Sequence, residues 1–253
     1  MHPGEYEAMS RVERSHWWYR GLRDLLTRLL EAERFPSPPR LLDAGCGTGE
    51  NLRLFAELLR PAYLGGFDTA EEALALAREK APDADLYIGD ICDPVLRVDA
   101  IDLLVSLDVI YIPGLERARA GLARLVERLV PGGLLLLNLP AYRWLYSEHD
   151  VAIHTRERYT AGEVRELLSG LGLRVELLTY RLFFHFPLVV LARLPRMLRA
   201  RPGEASARSD LQRPPGPTLD RMLFSLLCAE NALIRRGLRF PWGSSVFAIA
   251  RKP

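Results

Sequence analysis

Three glycines at alternate positions, Gly45, Gly47 and Gly49, follow the acidic residue Asp43 and a short apolar run. Glycine lets a backbone turn tightly and lets a ligand approach where a Cβ would clash. Apolar residues at helical spacing come next, so the segment predicts a buried strand, a glycine loop and a helix. A loop of this kind forms a nucleotide-type pocket at the carboxyl end of the first strand of an α/β sheet.

The details of the loop argue against two common nucleotide sites. A phosphate loop ends in Gly-Lys-Ser/Thr, and no lysine follows these glycines. A dinucleotide fingerprint is Gly-x-Gly-x-x-Gly, whereas this loop is Gly-x-Gly-x-Gly and Glu50 opens the helix, where it disfavours a pyrophosphate. The carboxylate of Asp43 instead suits a ligand that carries a cationic amino group.

Acidic residues also end the next two predicted strands. Asp68 lies about 20 positions after Gly47, the distance at which nucleotide-binding α/β folds place the carboxylate that binds ribose hydroxyls. Asp90 is followed by Ile91, so its carboxylate could accept a hydrogen bond from an adenine amino group while the isoleucine covers the ring. A solvated aspartate in a surface turn is the alternative interpretation of Asp90.

Together these residues resemble the first motifs of the class I S-adenosylmethionine (SAM)-dependent methyltransferases, whose glycine loop reads acid-x-Gly-x-Gly-x-Gly. The resemblance implies SAM as the cofactor and methyl transfer as the reaction. It also implies an α/β fold with a doubly wound, Rossmann-like, mainly parallel sheet of seven strands, the last one antiparallel. The cofactor contacts that we expect are Tyr19, Arg20, Asp43, Gly45, Cys46, Gly47, Thr48, Gly49, Asn51, Asp68, Thr69, Asp90, Ile91 and Leu107. No metal site is expected.

The elements that must position these residues follow from apolar runs and turn signals along the chain. We predict one domain over residues 1–253 with three additions to the sheet. These are an N-terminal helical lid at 1–36, a substrate-cap segment at 141–160 and an insertion at 181–244 between the last two strands. The predicted strands after the glycine loop lie at 62–68, 85–90, 100–108, 134–137, 173–180 and 245–251, and Pro-Gly-Gly at 131–133 is expected to form a turn before the fifth strand.

An aromatic cluster, His16-Trp17-Trp18-Tyr19-Arg20, begins the helix of the N-terminal segment. One interpretation is that these rings pack the helix against the sheet. The other is a cover for the ligand, because an N-terminal His-Trp-Trp-Tyr helix is similar to one in a bacterial subgroup of these methyltransferases. That similarity implies a helix that closes over the SAM pocket, with Tyr19 and Arg20 as cofactor contacts.

The candidates for catalysis are His149, Asp150 and His154, which follow the fifth predicted strand. His149 could act as a general base oriented by a carboxylate, which a hydroxyl acceptor usually requires. The alternatives are metal ligands, for which no further donor cluster is evident, or residues that merely hold the loop by hydrogen bonds. The segment resembles the Ser-x-His-Asp…His-x-Arg-Arg-Tyr pattern of the same subgroup, but Glu157 replaces the first arginine and only Arg158 remains.

The insertion bears on the acceptor. Residues 181–213 contain seven arginines against Glu204 and Asp210, beside the apolar Leu182, Phe183 and Phe184. Such a segment can rest on an anionic membrane or bind a lipid-linked acceptor, so peripheral membrane contact through 181–200 is one expectation. The alternative is a helix that completes the core with solvated arginines. Two prolines at 187 and 195 argue against one continuous helix here.

Composition sets broader limits. The chain is 49% hydrophobic and 26% charged with a net charge of +2, which indicates a globular protein and gives no case for nucleic acid as a partner. Three cysteines without metal-ligand spacing favour a reducing, cytoplasmic location, with membrane-peripheral placement as the variant. The first residues are polar, so we expect no signal peptide, and the longest apolar run, 182–194, is shorter than the ~20 residues of a membrane span.

Three functions therefore compete. The first is a SAM-dependent methyltransferase that acts on a small-molecule or lipid-linked acceptor, with a hydroxyl as one candidate for the methylated group. The second is a nicotinamide (NAD)-dependent oxidoreductase on a similar sheet, which the glycine spacing disfavours. The third is a non-catalytic module that binds SAM or a membrane and performs no chemistry.

Overall fold

The computed structural model describes residues 3–147, 150–151, 155–197 and 216–253, without the side chains of 3–5 and 192–197. Within them, seven strands form one sheet in the order β3-β2-β1-β4-β5-β7-β6. Every neighbouring pair is parallel except those of β7, which runs antiparallel to β5 and β6. The predicted mainly parallel sheet with an antiparallel last strand is confirmed. The strands are β1 Arg40–Ala44, β2 Tyr63–Asp68, β3 Asp85–Ile88, β4 Ile101–Leu107, β5 Leu129–Pro140, β6 Arg174–Arg181 and β7 Ser245–Arg251.

Helices lie between the strands and before the first one. They are α1 Pro3–Val12, α2 Trp17–Leu30, α3 Glu50–Leu59, α4 Glu71–Lys80, α5 Leu115–Glu127, α6 Ala161–Gly170, α7 Phe186–Met197 and α8 Pro217–Arg235. The central strands are buried on both faces, as in β4, where Leu103, Leu104 and Val105 have no exposed surface. None of the described helices is both long enough and apolar enough to cross a membrane.

The sheet has its topological switch point between β1 and β4. From β1 the chain builds outward through β2 and β3 on one side, then returns to add β4 and the remaining strands on the other. Ligands of open α/β sheets bind at the carboxyl ends of the strands at such a point. The glycine loop after β1 and the residues after β4 border it directly.

The N-terminal helix α2 packs closely on α8 of the insertion. A Cβ at Gly21 would lie 2.2 Å from Leu227 Cδ1, so only glycine permits this approach. Asn231 Nδ2 donates to the Gly21 carbonyl at 2.8 Å, and the Asp220 carboxylate accepts from the Trp17 backbone N–H at 2.9 Å. Two segments from opposite ends of the chain are thereby joined in one layer.

Two local expectations were wrong. Strand β5 begins at Leu129, so the Pro-Gly-Gly sequence lies within it as an irregularity between the pairs Ile101–Leu129 and Leu103–Leu134 rather than as a turn before it. Helix α7 includes both prolines. Pro187 occupies its first turn, where a backbone N–H has no helical partner, and position 195 lies near its end, where proline removes a single helical hydrogen bond. Residues 198–215 of the predicted insertion lie outside the described residues.

Candidate functional site

A cavity of about 1000 Å³ lies at the switch point. Its volume is at the upper end of the range for small-molecule sites, ~300–1,000 Å³. The walls come from the N-terminal helices, the glycine loop, the ends of β2, β3 and β4, and the insertion. The predicted cofactor residues that line it are Tyr19, Gly45, Cys46, Gly47, Thr48, Asn51, Asp68, Thr69, Asp90, Ile91 and Leu107. The structure therefore brings most of the predicted contacts into one space.

The glycine loop owes its shape to close contacts on one side and open space on the other. Gly45 has φ +91°, and a Cβ there would lie 2.3 Å from the Val109 side chain. Gly47 borders the cavity, and a Cβ there would meet only the Met9 methyl group, at 3.7 Å. Gly49 does not line the cavity, and a Cβ there would lie 2.7 Å from the Ala77 Cα. Its role is to let α3 pack against α4.

Asp43 and Asp68 form a carboxylate pair beneath and beside this loop. Asp43 is 2% exposed and lies outside the cavity lining, and no described group donates a hydrogen bond to its carboxylate. Burial, and secondly the charge of Asp68, raise its pKa to about 7. Asp68 accepts from the Gly47 and Ala70 backbone N–H groups at 3.0 and 3.1 Å, and burial raises its pKa against their opposing effect. Neither carboxylate has an ion pair among the described residues, so this end of the cavity favours a cationic group.

The end of β3 supplies a different surface. Asp90 is exposed at the cavity and accepts from the Cys92 backbone N–H at 2.8 Å. Ile91 is 3% exposed and lines the same wall. A carboxylate can accept a hydrogen bond from an amino group, and a buried apolar side chain beside it can cover a ring. This arrangement suits the binding of a flat heteroaromatic group with an amino substituent.

The aromatic cluster of α2 lies over the cavity. Trp17, Trp18 and Tyr19 line it, and burial raises the pKa of the Tyr19 phenol well above its ordinary value. Arg20, in contrast, is not part of the lining. Its guanidinium pairs with the Asp220 carboxylate at 3.3 Å and lies 3.7 Å from the Phe224 ring centroid, so it holds α2 against α8.

The N-terminal segment is also bound to the glycine loop. The buried Glu13 carboxylate accepts from the Thr48 hydroxyl at 2.7 Å and pairs with Lys80 of α4. Arg14 pairs with Glu50, the first residue of α3, at 3.1 Å. The segment therefore covers the cavity through direct polar contacts with its floor.

Asp108 enters the cavity directly after β4. It adopts φ +59°, a left-handed conformation that aspartate tolerates better than most residues. Asn138 Nδ2 of β5 donates to both of its carboxylate oxygens at 2.9 and 3.0 Å, and Asn138 Oδ1 accepts from Arg181 Nη1 at 3.2 Å. Burial raises the pKa of Asp108 to about 6, while the Asn138 hydrogen bond and the Arg181 charge act in the opposite direction.

The predicted catalytic segment is described only in part. His149 and His154 lie outside the described residues, so their role as a base stays a prediction. Asp150 has no exposed surface and lines the cavity, and its carboxylate accepts from Arg158 Nε at 2.8 Å and from the Ser147 backbone and hydroxyl at 2.9 and 3.2 Å. This buried ion pair anchors the segment after β5. In the described part of the chain, no group of three or more His, Cys, Asp or Glu side chains could hold a metal ion.

The two residues of the altered Arg-Arg pattern take separate structural roles. Glu157 accepts from the Leu115 backbone N–H at 3.0 Å, at the start of α5, and from the Tyr159 hydroxyl at 2.9 Å. Arg158 donates to the Ala141 carbonyl at 2.7 Å in addition to its bond with Asp150. Both therefore stabilise the cap segment.

Several lining residues were not among the predicted contacts. Glu13 gave no signal, because its partners Thr48 and Lys80 are 35 and 67 positions away. Tyr111 is buried beside Asp108, and burial raises the pKa of its phenol well above the ordinary value. The sequence shows an acidic residue, Asp108, after β4, but it does not show that the Asn138 amide donates to its carboxylate. Trp17 and Trp18 could have been found from the sequence, because they belong to the aromatic cluster at the start of α2.

Comparison with known proteins places these features in context. Residues 41–133 match the family described as a methyltransferase domain. Trans-aconitate 2-methyltransferase of Acidovorax sp. is 34% identical over 143 residues, which cover 55% of this chain and 51% of that protein. The chain thus spans about half the length of the curated relatives it matches.

Solved structures share the fold over most of the chain. An S-adenosylmethionine-dependent methyltransferase from Mesorhizobium loti has a TM-score of 0.57 at 18% identity and covers 94% of this chain and 99% of its own. Phosphoethanolamine N-methyltransferase 2 of Haemonchus contortus, solved in complex with SAM, has a TM-score of 0.55 at 18% identity, over 90% of this chain and 52% of its own. The family match thus covers residues 41–133, and the solved structures share the fold of this chain.

Proposed function

We propose that this protein is a SAM-dependent methyltransferase that acts on a small-molecule or lipid-linked acceptor. The observation that carries the proposal is the pair of carboxylates at the ends of β2 and β3, Asp68 and Asp90, which line the cavity together with the glycine loop. SAM supplies a methyl group on a positively charged sulfur, which is already activated for transfer. The protein must bind it, align the acceptor and exclude water.

The residues present fit this cofactor. A buried carboxyl without a hydrogen-bond donor either holds a proton or pairs with a cation, and SAM carries a cationic amino group. Gly47 leaves open space in the loop, and Asp68 lies at the position where related folds bind ribose hydroxyls. Asp90 and Ile91 provide the acceptor and the apolar face that adenine needs. Residues 1–36 act as a lid, because Trp17, Trp18 and Tyr19 cover the cavity.

The acceptor binds at the opposite end of the cavity. That wall is mostly apolar and comes from α2, the residue after β6, α7 and α8, through Trp17, Leu182, Val189 and Leu223. An apolar wall with few polar groups suits a small molecule with a hydrocarbon part or a lipid-linked one. The similarity to trans-aconitate 2-methyltransferase supports a small-molecule acceptor. The sequence candidates for a base remain His149, Asp150 and His154, of which the first and the last lie outside the described residues.

Calorimetry tests the cofactor assignment. The purified protein should bind SAM and its demethylated product S-adenosylhomocysteine (SAH) with micromolar affinity, and NAD should give no heat. Asp68→Ala should weaken SAH binding by at least about tenfold, because it removes a charge-assisted acceptor. Asp83→Ala is the matched control, since Asp83 is an exposed carboxylate that does not line the cavity. Absence of heat with both SAM and SAH would refute the proposed function.

Membrane contact through residues 181–200 is a separate part of the proposal. In the described portion, Phe184, Leu188 and Leu191 are 38%, 55% and 65% exposed, which is unusual for large apolar side chains. Vesicle flotation should show binding to vesicles with anionic lipids and little binding to neutral ones. Flotation without any methyl release from SAM would favour the non-catalytic module. If the protein floats with neither anionic nor neutral vesicles, the membrane proposal is refuted.

A further inference from the structure

Asp108 has a position in the cavity that the cofactor contacts do not explain. It follows β4 on the far side of the switch point from Asp43 and Asp68, which end β1 and β2. Its neighbour Val109 contacts the Gly45 position, so the two loops meet across the cavity floor. The carboxylate is therefore placed where the glycine loop and the acceptor end adjoin.

The orientation of this carboxylate is fixed by a chain of three side chains. Arginine has only donors, so the Arg181 guanidinium can face only the carbonyl oxygen of the Asn138 amide. The amide nitrogen must then point to Asp108, where it donates to both oxygens. Arg181 is completely buried, and the charge of Glu230, which accepts from the Leu182 backbone N–H at 2.7 Å, compensates it.

The same geometry leaves Asp108 able to accept more hydrogen bonds. An ionised carboxylate has about four lone-pair sites. Among the described residues, the Asn138 amide group is the side chain that donates to this carboxylate. No lysine or arginine among the described residues forms an ion pair with it. The carboxylate lines the cavity in a left-handed backbone conformation, which proteins retain mainly where the surroundings require it.

We propose that Asp108 binds the proton-bearing group of the acceptor, an amine or a hydroxyl, and takes up its proton during methyl transfer. The proposal rests on the proposed function. An ammonium has no lone pair, so a bound protonated amine first passes one proton to an Asp108 oxygen, whereas a hydroxyl passes its proton during the transfer. A lone pair of the acceptor nitrogen or oxygen forms the new bond to the methyl carbon, and the bond between sulfur and that carbon breaks with its electron pair left on sulfur. Asn138 and Arg181 are positioning residues, and an acceptor that presents a carboxylate is disfavoured by like charge.

The charge state of Asp108 makes this selectivity depend on pH. Its pKa is raised to about 6, so the carboxylate is ionised above that pH and neutral below it. The groups that face it are the Tyr19 phenol of α2, the Tyr111 phenol of its own loop and the Arg181 guanidinium of β6. The phenols stay neutral, because the pKa of each is raised, and the guanidinium stays charged. Preference for a cation should therefore be present above pH 6 and lost below it.

Three probes with the same hydrocarbon chain test the proposal by binding alone. Octylamine, octanol and octanoate differ only in the head group, and their chain suits the apolar acceptor wall. Affinities are measured by calorimetry with and without saturating SAH. At pH 8 the wild type should bind octylamine at least about tenfold more tightly than octanoate, a modest ratio for a charge in a partly buried site. Asp108→Asn should reduce the ratio to about threefold or less, and the exposed control Asp83→Asn should keep it.

The outcomes separate this inference from the proposed function. An equal ratio in the wild type and Asp108→Asn, or failure of all three probes to bind, would overturn the role of Asp108. Loss of SAH affinity in Asp108→Asn with the probe ratio unchanged would also overturn it, because the carboxylate would then belong to the cofactor. A wild type that prefers octylamine but binds no SAH would refute the proposed function instead. The ratio in the wild type from pH 5 to pH 8 provides a second test that requires no variant to fold, and a ratio that does not change with pH would contradict the proposal.

Discussion

Replacement of Asp43 by asparagine should separate the stability of the protein from its affinity for the cofactor. The substitution removes a charge and keeps the shape of a side chain that is 2% exposed at the end of β1. No described group donates a hydrogen bond to the carboxylate, and its nearest charged influence is the like charge of Asp68. In the absence of ligand, the charge is therefore unfavourable in the folded state.

The magnitude follows from the pKa of this carboxyl, about 7 against an ordinary value of 3.8. Between these values the folded protein holds a proton that the unfolded chain has released, so stability falls as pH rises through the window and is constant above it. One pKa unit corresponds to roughly 1.4 kcal/mol, so the two units from pH 5 to pH 7 correspond to roughly 3 kcal/mol for a fully buried group. Asp43→Asn should lack this loss.

Urea unfolding at pH 5, 6, 7 and 8 measures the effect. The free energy of unfolding of the wild type should fall by roughly 3 kcal/mol more than that of Asp43→Asn between pH 5 and pH 8, since other titrating groups are common to both. Asp43→Asn should also bind SAM at least about tenfold more weakly, because the negative charge beneath the glycine loop no longer attracts the cationic amino group.

Asp102→Asn is the control for this prediction. The Arg40 side chain lowers the pKa of Asp102, so the stability from that carboxylate is lost only as pH falls below its ordinary value of 3.8. Asp102→Asn should therefore leave the change in unfolding free energy between pH 5 and pH 8 as it is in the wild type. An unfolding free energy with the same pH dependence in the wild type and Asp43→Asn would refute the reasoning. Unchanged SAM affinity in Asp43→Asn would show that the carboxylate does not serve the ligand.

The remaining predictions concern two glycines. Gly21→Ala should lower stability by about 1–3 kcal/mol, because its Cβ would lie 2.2 Å from Leu227 Cδ1, and the double variant with Leu227→Ala should be less destabilised than the sum of the two single changes in urea unfolding. Additive effects would show that the two helices do not meet as described. Gly45→Ala should weaken SAH binding in calorimetry at least about tenfold, because φ is +91° and the new Cβ would displace Val109 from the cavity floor. Gly172→Ala, at φ +75° with nothing within 4 Å of its Cβ, is the control for backbone strain alone and should keep SAH affinity.

Features that depend on short stretches of chain could be predicted from the sequence. The glycine loop, and the acidic residues Asp68 and Asp90 at strand ends, follow from local pattern and spacing, and all of these residues except Gly49 line one cavity. The seven-stranded sheet followed from the family that this pattern indicates. Remote partners could not be predicted, as with Arg20, whose guanidinium pairs with Asp220 in a helix about 200 positions away.

The buried polar contacts could not be predicted for the same reason. The position of Glu13 against Thr48 depends on how a whole helix docks, and no spacing rule connects them. The role of Asp108 depends on an amide in the next strand and on a guanidinium one strand further along the chain. Sequence pattern shows which residues end a strand, but not which neighbour fixes their orientation.

The close packing of α2 on α8 has a mechanical consequence. Because Gly21 contacts Leu227 without an intervening side chain and Asp220 holds the start of α2, the aromatic cover of the cavity cannot swing away as a single helix. Two helices support it, α2 before the first strand and α8 in the insertion. Any opening wide enough to exchange the cofactor must either tilt both helices together or break their shared contacts.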